Sequence, residues 1–169
     1  MGSGKTTIGQ RLAKLLGMDF YDSDRQLEAQ TGASVSLIFD VEGESGFRIR
    51  ETQMLQDLTS RANILLATGG GAILKRENRE LLSSTGLVVY LQVSVQQQLH
   101  RLSRDRTRPL LQCEDREEKL SAMAQARNPL YEEIADIVFP SLNRGPAIAA
   151  RALAGRIQSL RATESTNTA

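Results

Sequence analysis

The sequence predicts a three-layer α/β fold built on a parallel sheet. Short apolar runs, each long enough for one buried strand, alternate with segments whose apolar residues recur at helical spacing. Glycine clusters sit at two of the joins, in Met1–Thr7 (MGSGKTT) and Thr68–Ala72 (TGGGA). The 169 residues and 40% apolar content suit one domain, expected over residues 1–161, with a disordered tail at 162–169 where small polar residues dominate. A net charge of +1 gives no footing for nucleic acid or an anionic membrane, and no apolar run is long enough to span a bilayer. The single cysteine, Cys113, excludes an internal disulfide and fits a reducing, cytoplasmic setting.

Gly4, Lys5 and Thr6 match the last three fixed positions of the phosphate-binding loop G-x-x-x-x-G-K-[ST]. Glycine permits the tight turn that aims successive N–H groups at phosphate oxygens. Lys5 reaches the β- and γ-phosphates, the Thr6 hydroxyl holds Mg²⁺, and a helix starting here adds its positive end. A flexible Gly/Ser terminus is the competing reading. The pattern's first glycine would fall two positions ahead of Met1, and the strand that feeds such a loop is not in the sequence. The biological protein is therefore expected to begin upstream.

Ile8, Leu12, Leu15 and Leu16 share one helical face, ended by Gly17. Asp19–Asp22 (DFYD) reads as a strand whose polar end carries Asp22 and Asp24. Residues two apart on an extended segment face the same way, so both carboxylates can serve one site. Capping the next helix is the alternative for Asp24. Short helices are expected at Gln26–Thr31 and Ser34–Asp40, a turn at Glu42–Gly46 (EGESG), and a helix at Phe47–Thr59 that buries Ile49, Met54, Leu55 and Leu58. Arg48 begins that helix, where a cation is unfavourable, which argues for an anionic partner. A solvated pair with Glu44 or Glu51 accounts for it equally.

Asn63–Ala67 (NILLA) has the composition of a buried parallel strand and runs straight into TGGGA. Each glycine costs about 0.5–1 kcal/mol relative to Ala, and a plain turn needs only one. Close approach of a ligand to backbone N–H donors explains three. Lys75–Ser84 reads as a helix, Leu87–Gln92 as a strand and Ser94–Leu102 as a capped helix. Ser103–Asp115 is Arg-rich and broken by Pro109, and reads either as a lid carrying an Arg to a transferring phosphate or as a solvated linker. Arg116–Ala126 is helical, and Pro129 within Arg127–Tyr131 (RNPLY) should bend or end it. Ile134–Phe139 is the last strand, Asn143–Pro146 a turn and Ala147–Leu160 the last helix.

The ordered set GSGKTT, DSD, FDVEGESGFR, TGGGA, RPLL and RNPLY closely resembles the shikimate kinase family from Met1 to about Leu160. GKTT alone marks only a P-loop protein, whereas the remaining motifs in this order are far more specific. The resemblance implies the nucleoside-monophosphate-kinase type of P-loop fold, strand order 2-3-1-4-5, with the first strand missing here. It implies transfer of the γ-phosphoryl of ATP to the 3-hydroxyl of shikimate, with a substrate-binding part at about 24–59 and a lid at about 103–115. Carried over by position, Gly2, Ser3, Gly4, Lys5, Thr6 and Thr7 form the phosphate cradle. Thr6 is then the Mg²⁺ ligand, and Asp22 holds Mg²⁺ through water. Asp24 binds shikimate hydroxyls and is the base, while Arg48 and Arg127 grip the carboxylate. Gly69, Gly70 and Gly71 offer backbone donors, and Phe39 and Phe47 form an apolar wall. Arg108 is the lid arginine, and Arg101 with Arg144 and Pro146 clamps adenine. The implied protein is a monomer whose partner is the small-molecule substrate. A catalytically silent nucleotide-binding protein and a kinase of another small acid, such as gluconate, are the competing readings.

The missing strand is central in that order. Four parallel strands beginning at Asp19, Asn63, Leu87 and Ile134 are therefore expected, with a gap of about 10 Å between the second and third. Unpaired buried backbone groups cost about 1–3 kcal/mol each against a total stability of about 5–15 kcal/mol. On that ground this chain is expected to be insoluble or inactive.

Overall fold

In the computed structural model, residues 2–102, 115–141 and 145–167 are described. The chain order is α1 (Lys5–Leu16), β1 (Asp19–Asp22), α2 (Ser23–Thr31), α3 (Val35–Thr59), β2 (Ile64–Ala67), a 3₁₀ turn at Ala72–Leu74, α4 (Arg76–Thr85), β3 (Val89–Gln92), α5 (Val95–Leu102), α6 (Arg116–Ile134), β4 (Ile137–Pro140) and α7 (Pro146–Asn167). Strand and helix alternate as the apolar pattern requires.

The strands pair in twos. β1 lies parallel to β2, with Asp19 opposite Ile64 and Asp22 opposite Ala67. β3 lies parallel to β4, with Val89 opposite Ile137 and Gln92 opposite Pro140. Among the described residues no ladder joins β2 to β3, so the order is β1-β2 and, separately, β3-β4. A cavity of about 550 Å³ occupies the interval, lined among others by Leu65 and Leu66 of β2, Val89 and Leu91 of β3, Leu12 of α1 and Leu153 of α7. The expected break between the second and third strands is present.

Two apolar clusters hold the layers. Ile8 and Leu12 of α1 meet Ile137, Leu153 and Ile157, joining α1 and α7 to the second strand pair. Leu27, Ile38, Phe47, Met54 and Leu58 pack α2 and α3 on Tyr21, Ile64 and Leu66 of the first pair. Leu15 and Ile49, expected on buried faces, are 50% and 55% exposed. The inner face of α3 is set instead by Met54, Leu55 and Leu58.

Four boundaries differ from the sequence reading. α2 starts at Ser23 rather than Gln26, so Asp24 lies in a helix and not on an extended strand. The break read over Glu42–Gly46 narrows to a kink at Gly43, where φ 71° and ψ −178° are non-helical values suited to glycine and where two helices of α3 meet. α6 passes through Pro129 to Ile134. Proline there removes one backbone hydrogen bond, to the Gln125 carbonyl, and the helix runs on past it. α7 continues through Asn167, across most of the stretch read as a tail. No described helix is long and apolar enough to cross a membrane.

Candidate functional site

The phosphate loop ends at Gly4, which caps α1 in the left-handed region at φ 86°. Its carbonyl accepts the Ile8 N–H at 2.8 Å, so Lys5 and Thr6 open the helix. The Thr6 hydroxyl donates to Asp22 Oδ2 at 2.8 Å, bringing the two expected metal-holding residues together. Asp22 Oδ1 also accepts the Arg25 N–H at 3.4 Å, so Asp22 and not Asp24 caps α2. A hydroxyl beside a carboxylate fits Mg²⁺, which takes one or two hard protein oxygens and fills its other positions with water and phosphate. The described residues hold no cluster of three or more His, Cys, Asp or Glu that could cage a metal.

The loop is strapped to the far strand pair. Arg101 Nη1 donates to Gly2 O at 2.9 Å and Ser141 Oγ at 3.0 Å, and Nη2 donates to Ser141 O at 3.0 Å. The buried Ser141 hydroxyl donates in turn to Ser3 O at 3.0 Å. The guanidinium expected to clamp adenine is thus engaged here with the loop backbone. Pro146 is the first residue of α7, and Thr7 is exposed on α1. Arg108, Arg144 and most of the lid lie outside the described residues.

On the acceptor side, α2, α3, α6 and the glycine loop converge. Burial, then the charges of Asp22 and Glu51, push the Asp24 carboxyl up to about 6, with Lys5 opposing them. That value suits a group that must be ionised at neutral pH yet able to take a proton. Asp24 Oδ1 and Glu51 Oε1 lie so close to Gly69 that a Cβ there would come within 2.7 and 2.9 Å of them. Arg48 lies against Gly71, where a Cβ would meet both terminal guanidinium nitrogens at 2.5 Å. Its Nη1 donates to Glu51 Oε2 at 2.7 Å and its Nη2 to Glu44 Oε1 at 3.0 Å. It therefore makes both of the ion pairs considered for it, but with a side chain only 13% exposed it is no solvated residue. Phe39 and Phe47 stack at 4.3 Å, and the guanidinium carbon lies 5.9 and 5.3 Å from their ring centroids.

Arg127 reaches the same loop from α6, its Nη1 3.5 Å from Gly70 O. The structure thus brings Asp22, Asp24, Arg48, Phe39, Phe47, Gly69, Gly70, Gly71 and Arg127 to one region. The donor expected from Gly69 is already engaged, because its N–H bonds the buried Ser23 Oγ at 3.0 Å. Ser23, Glu51 and Tyr131 were missed as contributors. Their signals were a hydroxyl between two aspartates, an acid three residues after Arg48 and a phenol four after Arg127, both helical spacings.

A phosphate loop that opens beside a half-buried acceptor pocket, rather than toward a broad basic surface, defines a P-loop kinase of small molecules. The family model described as shikimate kinase matches residues 1–158. A shikimate kinase of Shewanella pealeana is 54% identical over 138 residues, covering 82% of this chain and 81% of its own. That of Pasteurella multocida is 51% identical over 161 residues, covering 95% and 92%. Among solved structures, shikimate kinase from Acinetobacter baumannii in complex with shikimate superposes with a TM-score of 0.86 at 51% identity, covering 97% of this chain and 89% of that one. Shikimate kinase from Aquifex aeolicus gives 0.78 at 28% identity, covering 97% and 93%. The chain belongs to the shikimate kinase family.

Proposed function

We propose that this protein transfers the γ-phosphoryl group of ATP to the 3-hydroxyl of shikimate. The observation that carries the reading is the convergence of Asp24, Arg48, Arg127 and the glycine loop beside the phosphate loop. Shikimate presents one carboxylate and three hydroxyls. Such a molecule needs planar cations at one end and a carboxylate acceptor at the other. Arg48 and Arg127 supply the first, and Asp24 the second. The A. baumannii relative, solved with shikimate, supports the same assignment by its 51% identity.

In this scheme Lys5 holds the β- and γ-phosphates while Asp24 orients the acceptor hydroxyl and accepts its proton late. Thr6 and Asp22 would hold Mg²⁺, which when bound neutralises phosphate charge. Phosphoryl transfer needs little covalent help, so positioning and charge carry the acceleration. Phe39 and Phe47 shield one side from water, strengthening each polar contact. Arg108 and the lid take their role from the resemblance alone, as do Arg144 and Pro146 at the adenine. A monomer in the cytoplasm is the accompanying reading, supported for its compartment by the single cysteine.

The test is ADP release by the purified protein with ATP and Mg²⁺, against shikimate, gluconate and nucleoside monophosphates in turn. Turnover with shikimate alone, with phosphate located on the 3-hydroxyl by NMR, is the expected result. Turnover with gluconate or a nucleotide in its place overturns the reading.

A further inference from the structure

The glycine loop is held from two sides, by Ser23 and by Tyr131, and neither hold has a part in the scheme above. Gly69 N–H is fixed by Ser23 Oγ, and Gly69 O accepts the Ala72 N–H at 3.2 Å. Gly71 O accepts the Leu74 N–H at 3.0 Å. On the other side Tyr131 Oη donates to Gly70 O at 2.5 Å, a much closer contact than the 3.5 Å of Arg127 on the same oxygen. Among the described residues, the Gly70 and Gly71 N–H groups donate to no protein acceptor. They are the loop's remaining donors.

The Gly70–Gly71 peptide is trans and planar, so its N–H points opposite its C=O. Whatever fixes the Gly70 carbonyl therefore fixes where the Gly71 N–H aims. Three successive glycines hold no such direction by themselves. Tyr131 is well placed to impose one. It lies one helical turn past Arg127 on α6, and its ring stacks on Tyr90 of β3 at 4.8 Å and 20°. The Tyr90 hydroxyl points away from the loop and donates to Asn128 Oδ1 at 2.9 Å. Burial holds the Tyr131 phenol above its ordinary range, so it remains a donor at working pH.

We propose that Tyr131 is a positioning residue whose hydroxyl, through the Gly70 carbonyl, sets the direction in which the glycine loop presents its N–H groups to shikimate. The inference rests on the assignment of this loop and Arg127 to the acceptor. Replacing Tyr131 with Phe removes the hydroxyl and keeps the stack. Losing one hydrogen bond that preorganises a binding surface weakens binding by about 3–10-fold.

Steady-state kinetics with each substrate varied, together with melting curves, are to be compared for the wild type, Tyr131→Phe, Tyr90→Phe and Arg127→Ala. Tyr131→Phe should raise the KM for shikimate by about 3–10-fold, leave that for ATP near wild type, and leave the melting temperature almost unchanged. Tyr90→Phe, which loses a hydroxyl of the same stack away from the loop, should keep wild-type constants. A wild-type shikimate KM in Tyr131→Phe, or equal rises for both substrates, overturns the inference. If Arg127→Ala raises the shikimate KM while Tyr131→Phe does not, only the role of Tyr131 fails. If Arg127→Ala also leaves it unchanged, the assignment of this face to the acceptor fails with it.

Discussion

Asp24→Asn should abolish most turnover and, at neutral pH, stabilise the fold. The carboxyl moves from 3.8 in an unfolded chain to about 6 in the folded one, chiefly through burial and secondly through Asp22 and Glu51. A raised folded value means that between those limits the native state binds more protons than the unfolded state. Stability therefore falls as pH rises through that window, and the penalty is complete above about pH 6. A difference of about 2 pH units corresponds to a ceiling of about 3 kcal/mol. Partial exposure and solvent screening reduce that to about 1–2 kcal/mol. For a domain of this size the gain is about 3–6 °C in melting temperature. The amide is nearly isosteric and cannot ionise, so the gain should appear at pH 7.5 and close at pH 4. Turnover should drop about 10²-fold or more if Asp24 takes the proton. Melting curves of both proteins at the two pH values give a double difference that cancels pH-independent effects. A difference of zero, or an Asn variant less stable at pH 7.5 than at pH 4 relative to wild type, refutes the electrostatic reasoning.

Arg127→Ala should raise the KM for shikimate by about 10- to 100-fold, the worth of a charge-assisted hydrogen bond, and that for ATP far less; equal effects would make it structural. Gly71→Ala places a Cβ 2.5 Å from the Arg48 guanidinium nitrogens, the far end of a flexible side chain. It should therefore weaken shikimate binding about tenfold with little change in melting temperature, as calorimetry and thermal melts can check. Gly9→Ala does the reverse: its Cβ would meet Phe20 Cε2 at 2.7 Å and Leu65 Cδ2 at 3.3 Å, between α1 and the first strand pair. Overpacking of that kind costs about 1–3 kcal/mol in denaturant titrations. Ser141→Ala removes the hydroxyl on Ser3 O and one acceptor of Arg101, and should raise the KM for ATP by about 3–10-fold without moving that for shikimate.

Motif identity was legible in the sequence, and the geometry serving it often was not. Asp22 and Asp24 do lie beside one another, but extended-strand alternation is not the reason. Asp22 ends β1 and caps α2, and Asp24 follows on the first helical turn. Sequence cannot separate these arrangements, because Asp suits both a cap and a strand end. Three glycines were read as close approach of a ligand, and the neighbours that crowd them here are side chains. Each in fact meets a different neighbour: Asp24 and Glu51 at Gly69, Tyr131 and Arg127 at Gly70, Arg48 at Gly71. Glu51 looked like a surface partner because an acid three residues from an arginine normally is one. It is 2% exposed because its carboxylate lies against the Gly69 loop, a contact between segments far apart in the sequence. Pro129 likewise reads locally as a bend or an end, and α6 runs through it to Ile134.

The site straddles two separately paired halves of the sheet. Asp22, Asp24 and the glycine loop extend from the β1–β2 pair, whereas Arg127, Tyr131 and Ser141 belong to elements packed with β3–β4. Between β2 and β3 lies a cavity rather than a ladder. What spans it near the chemistry is a short series of polar straps: Tyr131 to Gly70, Arg101 to Gly2 and Ser141 to Ser3. The contact of α1 with α7 adds an apolar cluster beneath them. In the proposed scheme the acceptor draws on both halves, through Asp24 and Arg48 on one and Arg127 on the other. The distance between acceptor hydroxyl and phosphate is set across the halves, and in-line transfer tolerates little error beyond about 3–3.5 Å. In the proposed scheme these straps hold the glycine loop and the phosphate loop across the break, so hydroxyls on Tyr131 and Ser141 would tune substrate binding without taking a chemical part.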